Sequence, residues 1–179
     1  MGPMRIFLIT GSTRAGSVNT AVLRTVVDVL GSSSESFLYT GLATLPAFDP
    51  DADRDPLPPA VAELRAAVAS ADAVLFCTPE YAGALPGSFK NLLDWLVGSV
   101  VMSDKPSGWI NVASVASPSG GSGAHDSLRT VLGYVQAAVV EDACVRMPLS
   151  RNDVGADGLI VGHRGEIASA LAALTEHLH

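Results

Sequence analysis

Apolar residues fall at consecutive positions in five short runs, 5–10, 36–40, 72–78, 109–114 and 138–145, each about the length of a strand. Consecutive rather than alternating apolar positions predict parallel strands covered on both faces. Between the runs the apolar spacing widens to the helical period. It does so at Phe89, Leu92, Leu93, Leu96 and Val97, at Leu128, Val131, Leu132 and Val135, and at Ile167, Leu171, Leu174 and Leu178. Five strands alternating with five helices predict a doubly wound α/β sheet, because parallel neighbours need crossover connections and these are right-handed. Residues 45–59, "LPAFDPDADRDPLPP", form the one long Pro- and Asp-rich interruption. It reads as a solvated surface connection in preference to a lid over a substrate.

Length and composition narrow the class. At 179 residues, 48% hydrophobic, with mean hydropathy +0.34, the chain suits one well-packed domain over 1–179. Eleven basic against eighteen acidic residues give a net charge of −7, which argues against nucleic acid as a partner. No apolar run approaches the roughly 20 residues that span a bilayer, so no membrane contact is expected. The start "MGPMRIFLIT" carries neither a basic leader nor a small-residue cleavage site, and a cytoplasmic protein is expected. Cys77 and Cys144 lie far apart inside apolar runs, the pattern of reduced core thiols and not of a disulfide or metal site.

An open parallel sheet binds ligands outside the carboxyl ends of its strands. The segment there after the first run is "GSTRAGSVN", residues 11–19. It places backbone N–H groups, the hydroxyls of Ser12, Thr13 and Ser17 and the Arg14 guanidinium just before a helix whose first turn has unpaired donors. That is a phosphate cradle. Ser17 stands where a Walker loop needs lysine, and Thr13 where a GxGxxG turn needs its middle glycine, so a monophosphate held by hydroxyls fits better than a nucleotide pyrophosphate. A plain helix cap at Ser17 beside a surface arginine is the simpler alternative. After the third run, Pro79 forces Thr78 to stay extended and Pro86 suits a helix start, so Glu80, Tyr81, Ala82, Gly83 and Ala84 form a rigid shelf. A flat heteroaromatic ring could lie there on backbone amides and Tyr81. Glu80 and Tyr81 could equally be ordinary loop residues.

Together these segments resemble the NADPH-dependent FMN reductase family of the flavodoxin-like superfamily. Its first loop, approximately GSxRxxSxN, is matched at Gly11, Ser12, Arg14, Ser17 and Asn19. Its second motif, close to PEYNxxxPGxLKNxxDW, is matched by "PEYAGALPGSFKNLLDW" at Pro79, Glu80, Tyr81, Pro86, Gly87, Lys90, Asn91, Asp94 and Trp95. The resemblance implies a flavodoxin-like five-stranded parallel sheet in the order 2-1-3-4-5. It implies FMN as cofactor, held at Ser12, Thr13, Arg14, Ser17, Val18, Asn19, Thr20, Pro79, Glu80, Tyr81, Ala82, Ser117, Gly120 and Gly121. Two departures stand out. Ala82 replaces an asparagine common in the family, and "SPSGGSGAHDSLRTVL" matches the family's glycine-rich loop only approximately. His125 could contact substrate, but a solvent-facing helix position is the simpler expectation.

The reaction implied by the resemblance passes hydride from NADPH to bound FMN and electrons on to a quinone or another small-molecule acceptor, with no catalytic side chain required. An FMN-binding electron carrier or redox-responsive module without NADPH turnover is the alternative, favoured by the acidic surface. A phosphohydrolase lacks a Walker lysine and leaves 79–95 unexplained. Trp95 falls outside the stripe formed by 89, 92, 93, 96 and 97, which predicts either a partner surface or packing under a loop. Family members commonly form dimers, so a homodimer or a dimer of dimers is expected.

Overall fold

A computed structural model describes residues 3–32, 34–113 and 117–178. The elements run β1 (Met4–Thr10), α1 (Val18–Leu30), β2 (Ser34–Tyr39), α2 (Pro59–Ser70), β3 (Ala73–Cys77), α3 (Gly87–Val97), β4 (Pro106–Ala113), α4 (Ser122–Tyr134), β5 (Ala138–Pro148) and α5 (Arg164–Glu176). All strand pairs are parallel and the order is β2-β1-β3-β4-β5. This is the doubly wound, flavodoxin-like arrangement expected from the sequence.

Consecutive apolar residues on β1 serve two cores in turn. Ile6 and Leu8 pack with α1 and α5, while Phe7 and Ile9 pack with α2, α3 and α4. Strands β3 and β4 do the same, with Ala73, Leu75 and Ile110 on one side and Val74, Phe76 and Trp109 on the other. Cover on both faces fails at the edges. Burial alternates along β2, and Phe37 remains 60% exposed while stacking on Phe7 with ring centroids 5.6 Å apart. Strand β5 continues to Pro148, beyond the expected end at 145, because Arg146 points to solvent at the edge while Met147 returns to the core. Strand β4 starts three residues before the expected 109, and its expected end at Ser114 lies outside the described residues.

Of the two alternatives for Trp95, packing under a loop holds and a partner surface does not, and the stripe on α3 needs one correction. Trp95 is fully buried, and Val97, assigned to the core stripe, is 52% exposed. The cause is the 45–59 segment, which is a pinned strap and not a free solvated connection. Trp95 Nε1 donates to the Pro46 carbonyl at 2.9 Å, and its ring meets Phe48 edge-on at 5.0 Å. Asn91 Nδ2 donates to the same carbonyl at 2.9 Å, while its Oδ1 accepts from the Phe48 amide at 2.7 Å. Arg65 closes the strap from α2, pairing with Asp53 at 2.7 Å and donating to the Trp95 carbonyl. A large aromatic placed off the helix stripe thus gains its cover from a loop.

No helix among the described residues is long and apolar enough to cross a membrane. Among them there is also no cluster of three or more His, Cys, Asp or Glu able to hold a metal ion.

Candidate cofactor site

The carboxyl ends of β1, β3, β4 and β5 surround a cavity of about 400 Å³. Of the residues expected to hold a cofactor, it brings together Ser12, Arg14, Ser17, Val18, Asn19, Pro79, Glu80, Tyr81 and Ser117. Thr13, Ala82, Gly120 and Gly121 belong to the same loops and Thr20 to the first turn of α1, but none of them lines it. The structure adds Gly16, Val112, Ala113, Leu149, Ser150 and Arg151. The last three follow β5, whose true end brings them to the same edge of the sheet. Ser150 opens a short turn there with a reciprocal cap to Asp153, its amide and hydroxyl both donating to the Asp153 carboxylate at 2.7 and 2.8 Å.

Helix α1 meets the cavity with its N-terminus open. Ser17 occupies the cap position with extended backbone, yet its hydroxyl makes no cap hydrogen bond and no acidic residue stands in the first turn. The partial positive charge of that helix end is therefore not neutralised by the chain. Beside it the Arg14 amide donates to Ser12 Oγ at 3.3 Å, which folds the loop, while the guanidinium makes no ion pair among the described residues. Arg151 is likewise unpaired. Asn19 departs from expectation in its side chain, whose Oδ1 accepts from the buried Cys77 thiol at 3.3 Å. Its side-chain oxygen is thereby occupied within the protein.

Helix α4 meets the cavity with its N-terminus filled. Its cap residue is Gly121, with φ +78° and no side chain to offer. Glu80 supplies the cap from the β3–α3 loop. Its Oε2 accepts from the Ala124 amide at 3.1 Å and its Oε1 accepts from the Ser119 hydroxyl. The Ser119 bond, helped by the Ala124 and Gly123 amides and by Ser117 against the desolvating effect of partial burial, holds the Glu80 carboxyl below the ordinary carboxylate range. Glu80 is therefore an ionised acceptor already engaged within the protein. Gly123 shows how closely the two loops meet, since a Cβ there would lie 2.0 Å from the Gly83 carbonyl oxygen.

The shelf itself is a two-residue reverse turn. Tyr81 and Ala84 exchange backbone hydrogen bonds of 2.9 and 3.0 Å, and both intervening residues have positive φ, +51° at Ala82 and +72° at Gly83. Two such residues in succession favour Asn-Gly over Ala-Gly. Turn chemistry is thus a physical reason for asparagine at position 82, besides any contact with a ring. Tyr81 stands 55% exposed at the rim.

His125 is half-buried and does not simply face solvent. Its Nδ1 accepts from Trp109 Nε1 at 2.9 Å, with the rings edge-on at 5.0 Å, and Arg129 lies beyond it. Burial, then the Arg129 and Arg146 charges, lower its pKa from the usual imidazole value. Both cysteines are free, with burial pushing Cys144 up to about 12 and Cys77 well above its ordinary value.

A parallel sheet in this order, with an open helix N-terminus after β1 and two interlocked loops facing it, defines a flavodoxin-like protein. The sequence profile for NADPH-dependent FMN reductase matches residues 4–150, and the chain belongs to that family. It is 36% identical over 129 residues to a probable NADPH:quinone oxidoreductase 2 of Oryza sativa subsp. japonica, covering 70% of this chain and 61% of that protein. It is 35% identical over 94 residues to a quinone reductase of Escherichia coli, covering 52% and 50%. The matches thus span about half to three-fifths of these relatives' length. A 2-hydroxy-1,4-benzoquinone reductase of a Burkholderia species is 29% identical over 161 residues, covering 88% of this chain and 86% of that one. Among solved structures, a flavoenzyme NAD(P)H:(acceptor) oxidoreductase from Paracoccus denitrificans superposes with a TM-score of 0.82 at 23% identity, covering 97% and 98% of the two chains. A flavodoxin variant from Pseudomonas aeruginosa superposes with 0.65 at 19%, covering 96% and 99%. These two likenesses concern the fold.

Proposed function

We propose that this chain is an FMN-dependent NAD(P)H oxidoreductase that reduces a quinone or a similar small acceptor. The observation that carries this reading is the uncapped N-terminus of α1, with the unpaired Arg14 guanidinium and the Ser12 and Ser17 hydroxyls beside it. That donor set fits a dianionic phosphate, and a cavity of about 400 Å³ is of the size that holds small ligands. Family membership supports FMN as the cofactor and NADPH as the co-substrate.

Bound FMN would supply a two-electron carrier that a reduced nicotinamide loads and an oxidised acceptor unloads. The chain's own part is binding and alignment. The α1 amides and Arg14 hold the phosphate, Tyr81 and Ser117 from the two facing loops wall the ring space, and exposed Tyr81 offers a flat apolar face at the rim. Glu80, kept ionised by its donors, gives no proton to a substrate. No catalytic side chain enters the proposal.

The homodimer and the cytoplasmic location belong to the same proposal. Trp95 no longer supports the dimer, because it is buried; the exposed Val97 and Val100 at the end of α3 take its place as apolar surface. Two free thiols, Cys77 buried and Cys144 half-buried, suit a reducing compartment.

The test is spectroscopic. The purified protein mixed with FMN should acquire the absorption of bound flavin, NADPH should bleach it without oxygen, and a benzoquinone should restore it on the timescale of turnover. Flavin that binds but is not bleached would favour the electron-carrier reading, and failure to bind FMN would end both.

A further inference from the structure

We infer that Glu80 is a positioning residue that preassembles the ring-facing wall of the cleft, not a ligand of the cofactor. The inference rests on the FMN reading for what the wall is for, but its geometry stands without it. Glu80 lies on the β3–α3 loop, and every polar partner of its carboxylate lies 37 to 44 residues later. Those partners are the Ser117 and Ser119 hydroxyls and the amides at the start of α4. One side chain thereby joins two loops that share no strand pairing with each other. It also does for α4 what the helix cannot do for itself, since its cap residue Gly121 has no side chain.

The serines extend the clamp. Ser117 and Ser119 hydroxyls lie 2.9 Å apart, and the Gly121 amide approaches Ser119 Oγ at 3.4 Å. The loop from Ser117 to Gly121 is thus organised around the carboxylate, while Gly120 and Gly121 both take positive φ, a backbone with many competing conformations when released. Packing backs this up from the other side, where Gly123 meets the Gly83 carbonyl with no room for a side chain. With both carboxylate oxygens engaged, the group has no function left toward a phosphate, and its charge would oppose one. Its contribution to flavin binding is to fix the loops before the flavin arrives, so that their ordering is not charged against binding.

Glu80→Gln tests this, because it keeps the size but removes the charge and replaces one acceptor oxygen with an NH2 that cannot accept from the α4 amides or the serine hydroxyls. In the protein without flavin, hydrogen exchange of the 119–124 amides should rise at least tenfold, with the α1 amides unchanged. FMN and riboflavin should then both bind about tenfold more weakly, leaving their affinity ratio unaltered. Unchanged exchange at 119–124 would overturn the clamp. Weakening of FMN alone would make Glu80 part of the phosphate site and overturn the positioning role. Should Glu80→Gln fail to fold, Ser119→Ala removes one donor and should shift exchange and both affinities in the same direction by about threefold; no shift there overturns the proposal. If the wild-type protein binds no flavin, the functional reading fails while the exchange comparison still decides the clamp.

Discussion

The Trp95 indole and the Asn91 amide, one turn apart on α3, donate to a single acceptor, the Pro46 carbonyl, both at 2.9 Å. Two residues of the long motif at 79–95 are therefore occupied in holding the 45–59 strap and stand away from the cofactor cleft. Trp95→Phe keeps most of the packing and removes one donor, leaving Pro46 with Asn91, and should cost about 1 kcal/mol. Trp95→Ala empties a fully buried site and should cost about 3–5 kcal/mol. Urea unfolding midpoints measure both. Neither change should alter the oligomeric state seen by light scattering, since the side chain is inside.

Arg14→Ala tests the phosphate cradle. A charge-assisted hydrogen bond to a dianion contributes about 1.5–3 kcal/mol, so FMN should bind roughly ten- to a hundredfold more weakly. Riboflavin, which lacks the phosphate, should bind as before. Equal weakening of the two in a titration would make Arg14 a structural residue. The contrast with Glu80→Gln, for which both ligands weaken together, separates gripping from shaping.

Ala82 has φ +51° in the reverse turn of the shelf. A left-handed backbone costs a non-glycine residue about 1 kcal/mol, and asparagine less than alanine. Ala82→Asn and Ala82→Gly should each stabilise the protein by about 0.5–1 kcal/mol, read from thermal or urea unfolding. A loss of stability on Ala82→Asn would mean that the side chain meets an obstacle within the turn.

His125 ties stability to pH. Its Nδ1 accepts from Trp109, so protonation at that atom would break the bond, and burial with the nearby arginines lowers the folded-state pKa. Between that lowered value and the unfolded imidazole value of about 6.5, the unfolded chain binds more protons, so stability rises with pH across the interval. The stabilisation is complete above about 6.5 and is lost as pH falls toward the folded pKa. His125→Phe should flatten the curve in this interval. It should also lower stability at neutral pH by about 1–3 kcal/mol, because the buried Trp109 N–H loses its acceptor. A pH profile unchanged by the substitution would contradict the assignment.

The sheet was legible from the sequence because β3 buries every residue and β1 and β4 bury all but their first one or two, giving runs that no amphipathic helix produces. The polar cluster after β1 was legible because its hydroxyls and arginine crowd the start of one helix. What periodicity missed depends on partners far along the chain. Trp95 looks displaced until the strap covers it, and His125 looks solvated until Trp109, 16 residues earlier, is placed beneath it. Leu149, Ser150 and Arg151 were missed because charged Arg146 suggests that the fifth strand has ended, although an edge strand can turn one charge outward and continue. Glu80 lines the cavity, but its partners at Ser119 and on α4 could not be read from spacing.

Cys77 ends β3 directly beneath the open end of α1, its thiol donating to Asn19 Oδ1 at 3.3 Å. Quinones add to thiolates and peroxides oxidise them, in both cases through the anion. Burial pushes the Cys77 thiol far toward its protonated form and leaves it no accessible surface. The thiol behind the cleft is thus chemically inert toward electrophiles of the kind the protein is proposed to consume, so repeated turnover should leave Cys77 unalkylated.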